Sequence, residues 1–154
     1  MYLISACLVG INCKYNGDNN SHGDFKSLLK QKRAIPFCPE QAGGLPTPRP
    51  PAEIISGDGF DVIKKNAIVM TADGRDVTKF FIIGAKETLK LALLSGADKA
   101  ILKSRSPSCG CKDIYDGNFK NLLKQGMGVT AAYLKLNGIE LIDSEDFLEN
   151  HNHP

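Results

Sequence analysis

Three short apolar runs of this chain are each followed by a cysteine. Each run has the length and the apolar character of a buried strand. The runs and their cysteines are 2–6 with Cys7, 34–37 with Cys38, and 99–103 with Cys109. In an open α/β sheet, ligands bind outside the carboxyl ends of parallel strands. If these runs are parallel neighbours, the three cysteines converge on one edge of the sheet, so we expect a functional site there.

The order of the apolar runs and the helical patterns predicts the fold class. Strands and helices alternate, and 139–142 is a fourth apolar run. This alternation is typical of a three-layer, Rossmann-like α/β domain with a mostly parallel sheet. Segment 54–70 alternates weakly and predicts a hairpin or a pair of short extended segments. A hairpin there would be an insertion or an antiparallel edge. The predicted helices are 24–31 with Asp24 as its N-cap, 77–95 with Asp76 as its N-cap, 129–137, and a short one from Ser144.

Length and composition limit the class of protein. The 154 residues have the size of one ordinary domain, so we predict a single domain over 1–154 with a disordered tail at about 150–154. The net charge of +2 gives no strong signal for nucleic-acid binding. No stretch approaches the roughly 18 consecutive apolar residues of a membrane span, and no secretory signal is recognisable. We therefore expect a cytoplasmic protein without a membrane partner.

The five cysteines indicate metal binding or thiol chemistry. Their odd number, without an export signal, argues against a disulfide scaffold. Some of them could instead be small buried apolar residues. No C-x-x-C occurs; Cys7 and Cys13 with Cys109 and Cys111 could make a four-sulfur set, but their spacings are wrong for zinc ribbons or fingers. Three separated thiolates also fit an iron–sulfur cluster that leaves one iron open.

Two loops have compositions that geometry alone does not require. The loop 104–111 carries three serines, an arginine and two cysteines, whereas a turn needs only Gly, Asn, Asp or Pro. The segment 40–53 is rich in proline, which fixes a stiff path, and Gly43 and Gly44 allow close approach of a substrate to the backbone. We interpret this segment as a pocket wall; a rigid linker or a polyproline ligand for a partner is the alternative.

Six stretches, in order along the chain, are similar to one bacterial family. They are 4–10 (ISACLVG), 38–53 (CPEQAGGLPTPRPPAE), 76–80 (DVTKF), 102–110 (LKSRSPSCG), 114–117 (IYDG) and 128–132 (GVTAA). The chain resembles the thiouracil desulfidases, long a domain of unknown function, in a minimal single-domain form. The resemblance implies a [4Fe-4S] cluster held by Cys7, Cys38 and Cys109. It also implies removal of sulfur from a thiolated uracil without net redox change.

The chemistry of such a reaction suggests roles for the neighbouring side chains. Glu40 lies two residues from Cys38 and is the candidate general acid or base. Ser106 is the candidate for passing a proton, and Ser108 and Lys103 are candidates for binding the substrate, a small thiolated base. Two alternatives stay open: an enzyme acting on another thiolated nucleotide or tRNA, and a non-catalytic, metal-stabilised binding module.

Overall fold

The computed structural model of the protein describes residues 1–152, whose helices and strands follow the predicted alternation. The strands are β1 (Tyr2–Ser5), β2 (Ala34–Phe37), β3 (Ala52–Ile55), β4 (Ile68–Thr71), β5 (Lys99–Leu102), β6 (Asp113–Tyr115), β7 (Leu123–Gln125) and β8 (Glu140–Asp143). The helices are α1 (Gly23–Lys30), α2 (Pro39–Ala42), α3 (Gly59–Ile63), α4 (Thr78–Ser95), α5 (Val129–Leu136) and α6 (Ser144–His151). A 3₁₀ turn, Ala6–Val9, follows β1.

The four predicted apolar runs form one parallel sheet, in the order β2-β1-β5-β8. Successive residues of a strand point to opposite faces. Ile4 accordingly packs with Phe25 of α1 and Phe147 of α6, whereas Leu3 packs with residues of α4 and α5. Helices therefore cover both faces of the sheet, and the predicted three-layer α/β architecture is confirmed.

The middle of the chain forms a separate unit beside this sheet. β3 and β4 pair antiparallel, with α3 between them, and hydrogen-bond to neither edge of the parallel sheet. The predicted hairpin is thus an insertion and not an antiparallel edge. A second hairpin, β6 with β7, was not predicted, because its strands are only three residues long and largely polar.

Helix termini differ from the prediction by one or two residues. The N-cap of α1 is His22, whose Nδ1 accepts a hydrogen bond from the Asp24 backbone N–H at 3.3 Å, so the Asp24 cap was wrong. Asp76 does accept from the Thr78 N–H at 2.9 Å, but α4 begins at Thr78. At the chain end, α6 continues through His151, and the remainder of the predicted tail, 153–154, lies outside the described residues.

Among the helices of residues 1–152, none combines the length and apolarity required to cross a bilayer. The helices that cover the two faces of the sheet leave the carboxyl ends of β1, β2 and β5 open to one cavity.

Candidate functional site

A cavity of about 520 Å³ lies at the carboxyl ends of three neighbouring parallel strands. Cys7, Cys38 and Cys109 all line it, so the predicted convergence of the three cysteines is confirmed. The other predicted residues that line it are Glu40, Lys103, Ser106 and Ser108. One end of an α/β sheet therefore gathers thiols, a carboxylate, hydroxyls and an amine.

Each cysteine is placed by the turn that follows its strand. Cys7 lies in the 3₁₀ turn after β1, and Cys38 occupies the N-cap position of α2, with Pro39 as the first helical residue. Proline suits that position because it has no N–H to leave unpaired. Ser106 fixes Cys109: its Oγ accepts hydrogen bonds from the backbone N–H groups of Cys109 and Ser108, at 3.0 and 3.2 Å. The three sulfurs are thus held by local backbone geometry.

The start of α5 supports the loop that carries Cys109. The first N–H groups of an α-helix have no partner within the helix. Here the Val129 N–H donates to the Pro107 carbonyl at 2.9 Å, and the Ala131 N–H donates to the Ser108 carbonyl at 3.0 Å. The loop therefore caps the helix, and the helix holds the loop against the cavity.

A fourth thiol, Cys13, joins the group of sulfurs. The neighbouring Cys13 thiol, acting as a hydrogen-bond donor, lowers the pKa of Cys7 and lowers the pKa of Cys38 to about 7. The same bonds, with burial, raise the pKa of Cys13 itself. Burial raises the pKa of the Cys109 thiol to about 12. The nearby Cys13 thiol therefore favours the thiolate, the form that binds metals, at Cys7 and Cys38.

The donor set fits a cluster better than a single ion. Within residues 1–152, no three His, Cys, Asp or Glu side chains surround one point closely enough to hold one metal ion. Cysteines that hold a four-iron cluster each bind a different iron and so stand further apart than the ligands of one ion. Three thiols delivered from three segments to one cavity fit that requirement. Cys111 lies outside the cavity, so the alternative four-sulfur set does not share one site.

A hydrogen-bonded network joins the carboxylate to the loop of Cys109. Ser108 Oγ donates to Glu40 Oε2 at 2.8 Å, and Ser106 Oγ lies 3.1 Å from Ser108 Oγ. Because Ser108 gives its only proton to Glu40, Ser106 is the donor in the second bond. The other carboxylate oxygen, Oε1, accepts from Arg49 Nε at 3.0 Å. The carboxylate of Glu40 is held from both sides.

Arg49 lines the cavity and hydrogen-bonds three segments of the chain. Its side chain is only 5 % exposed. Besides Glu40, it donates from Nη2 to the Cys13 carbonyl at 2.8 Å and from Nη1 to the Pro46 carbonyl at 3.2 Å and Thr47 Oγ1 at 3.0 Å. A planar guanidinium with several fixed donors suits this arrangement, whereas a lysine does not. Sequence reasoning did not single out Arg49, because these contacts depend on how distant loops meet.

Two of the predicted substrate-binding residues lie elsewhere. Gly43 packs against α4, where an added Cβ would collide with the Phe80 carbonyl oxygen. Gly44 lines a separate cavity of about 210 Å³ behind Glu40 and Arg49. The close approach that the glycine pair indicated is real, but for Gly43 the neighbour is the backbone of a helix.

Lys103 remains a candidate for substrate contact. Burial lowers its pKa, and its Nζ donates to the Ser104 carbonyl at 2.8 Å. The nearby Cys7 raises the pKa of Lys103, as an anion does for an adjacent ammonium. Lys103 therefore places one positive charge beside the thiols.

The sequence as a whole matches one protein family. The model of the 2-thiouracil desulfurase family matches residues 2–146. The chain belongs to this family. The resemblance seen in the motifs is thereby confirmed, and the match includes every residue of the cavity described above.

Two relatives are similar along nearly the whole chain. An uncharacterized protein, YbbK, of Bacillus subtilis (strain 168) is 45 % identical over 146 residues, which are 95 % of this chain and 97 % of that protein. The structure of TudS, a [4Fe-4S]-dependent thiouracil desulfidase, superposes with a TM-score of 0.84 at 39 % identity. That alignment covers 96 % of this chain and 93 % of TudS. The fold of this protein is thus the fold of a desulfidase that works with a [4Fe-4S] cluster.

Proposed function

We propose that the protein is a thiouracil desulfidase whose [4Fe-4S] cluster is held by Cys7, Cys38 and Cys109. The observation that carries this proposal is the cavity in which these three thiols meet the carboxylate of Glu40. When bound, such a cluster supplies an iron without a protein ligand, which acts as a soft Lewis acid toward the substrate sulfur. Membership of the family and the likeness to TudS support the same function.

The overall reaction is a hydrolysis. Water adds to the thiocarbonyl carbon, a carbon–oxygen bond forms, and the carbon–sulfur bond breaks. A thiouracil and water thus give a uracil and hydrogen sulfide, so no electron donor or acceptor is consumed. The protein must remove a proton from the water and supply one to the departing group, which is the work of a general acid and base.

We assign this proton transfer to Glu40 and the two serines. Oε2 of Glu40 takes the proton from the attacking water, and the bond to Arg49 keeps the carboxylate in one orientation. The Ser106 and Ser108 hydroxyls form a relay that donates toward the same oxygen, so a proton can be passed along them to Glu40, which supplies a proton to the departing sulfur. The ammonium of Lys103 offsets negative charge that develops on the substrate.

The decisive experiment is a reaction of the anaerobically reconstituted protein with 2-thiouracil in ¹⁸O-labelled water. We expect uracil that carries one ¹⁸O and sulfide in equal amount, without added reductant. Thiolated nucleotides and thiolated tRNA belong in the same assay, because a 520 Å³ cavity exceeds a single pyrimidine ring. Conversion of nucleotides or tRNA alone would favour the enzyme on a larger substrate. A brown protein that converts none of these would favour a binding module.

Arg49 gives a test of how Glu40 is held. In Arg49→Lys the charge is kept, but a single nitrogen replaces the two separate nitrogens, Nε and Nη2, that bond Glu40 and the Cys13 carbonyl. We expect kcat per cluster to fall by about 10- to 100-fold, since hydrogen bonds to charged groups are worth about 1.5–3 kcal/mol. Iron content and KM should change little.

A double-mutant cycle separates positioning from general destabilisation. If Arg49 acts through the carboxylate, Arg49→Lys should cost nothing further in a Glu40→Gln background. Equal losses in both backgrounds would contradict the positioning role. Arg75→Lys is the matched control, because Arg75 pairs with Asp73 on the exposed surface and should leave kcat unchanged.

A further inference from the structure

A short loop at the rim of the cavity is pinned by a buried carboxylate. Glu53, 9 % exposed, accepts hydrogen bonds through Oε1 from the backbone N–H groups of Gly117 at 2.9 Å and Phe119 at 3.3 Å. Gly117 sits directly on β3, where an added Cβ would lie 2.5 Å from the Ile54 carbonyl oxygen. The base of the loop is closed by a bond from the Asp116 N–H to the Leu122 carbonyl at 2.9 Å. The loop 116–122 is therefore preorganised.

Phe119 at the tip of this loop has an unfavourable backbone conformation. Its φ is 56°, in the left-handed region, where a bulky residue without special stabilisation is an outlier. Backbone strain of this kind persists only when the surroundings enforce it, and it concentrates at ligand sites. Here the bond from the Phe119 N–H to Glu53 enforces it. A glycine or an asparagine would adopt the same conformation with less strain.

Packing does not explain the aromatic side chain. Phe119 is 37 % exposed, and it belongs to none of the three buried apolar clusters of the described residues. Yet it lines the cavity that contains the three thiols and Glu40. The aromatic ring at the wall of the proposed active site thus belongs to a residue with a strained backbone.

We propose that Phe119 is a substrate-binding residue that stacks on the pyrimidine ring of the thiolated base. The inference rests on the proposed function and adds to it the residue that recognises the ring. A pyrimidine has a flat π-face without charge, and aromatic side chains bind such faces by stacking. Stacking does not depend on which atom of the ring is thiolated. Phe119 therefore contributes to substrate binding, whereas Glu40 and the thiols take part in the reaction.

The test is a comparison of Phe119→Asn with Phe119→Tyr in the reconstituted enzyme. Phe119→Asn removes the ring but suits the left-handed conformation. We expect KM for 2-thiouracil to rise about 5- to 150-fold, the range that loss of one base–aromatic stack produces. kcat per cluster and iron content should stay near wild type, and the melting temperature should be equal or higher. Phe119→Tyr keeps the ring and should keep the KM.

Controls make each outcome decisive. Leu122→Asn changes an exposed residue of the same loop outside the cavity and should leave KM unchanged. If Phe119→Asn does not fold, Phe119→Gly replaces it, because glycine adopts a positive φ without strain. An active wild type with an unchanged KM in the folded variant overturns this inference alone. A wild type that neither binds nor converts any thiolated pyrimidine overturns the proposed function, and this inference with it.

Discussion

Replacing Glu40 by glutamine is expected to reduce turnover per cluster by about 10²- to 10⁴-fold, the usual contribution of a positioned general acid or base. Glutamine keeps the shape of the side chain and an oxygen for the Arg49 bond, but it cannot accept the proton of the attacking water. The variant should therefore retain its iron and bind 2-thiouracil with nearly unchanged affinity. Sulfide release, normalised to iron content, measures the loss.

A purely structural Glu40 makes the opposite prediction. Glu40 joins Arg49 to Ser108, so a structural role would reduce stability or cluster content while turnover per remaining cluster stayed normal. Near-normal turnover per cluster in Glu40→Gln would remove this residue from the mechanism and leave Ser106 as the candidate. Glu87→Gln makes the same chemical change in an exposed pair with Lys90 and should have no effect.

The sheet and its cysteine-bearing edge were predictable because they depend on patterns within short segments. Apolar runs near residues 2, 34, 99 and 139 mark the strands, the alternation with helices predicts a mostly parallel sheet, and the structure shows that the strands are neighbours. Once that is so, residues at the carboxyl ends of the strands must meet. Cys7, Cys38 and Cys109 could therefore be brought together by reasoning from the sequence alone, and the family motifs supplied the same set.

The parts that the sequence did not reveal depend on contacts between distant loops. Arg49 bonds to the Cys13 carbonyl 36 residues away, and no local pattern signals such a contact. Gly43 shows the converse error: a glycine pair signals a close approach, but not what approaches. The N-cap of α1 is His22 and not the predicted Asp24, because a histidine ring can accept the same backbone hydrogen bond that an aspartate would.

The second large effect is the loss of the cluster that we expect when one of the three cysteines of the cavity is replaced. Single changes of Cys7, Cys38 or Cys109 to serine should each abolish a stable cluster, because a serine hydroxyl is not ionised at neutral pH and is a poor ligand for iron–sulfur clusters. Iron and acid-labile sulfide, counted after anaerobic reconstitution, measure the loss. Cys111→Ser is the matched control, since Cys111 lies outside the cavity. Full iron content in Cys38→Ser would contradict the three-ligand assignment.

Variants of Cys13 distinguish a cluster ligand from a hydrogen-bond donor that supports the ligands. Cys13→Ser should retain the cluster, because a hydroxyl can still donate its one proton to the sulfur of Cys7 or of Cys38. Cys13→Ala removes that donor, and without it the pKa values of the Cys7 and Cys38 thiols should rise. The thiolate fraction, and with it iron uptake at neutral pH, should then fall in Cys13→Ala and recover at higher pH. If serine and alanine both abolish the cluster at every pH, Cys13 is itself a ligand.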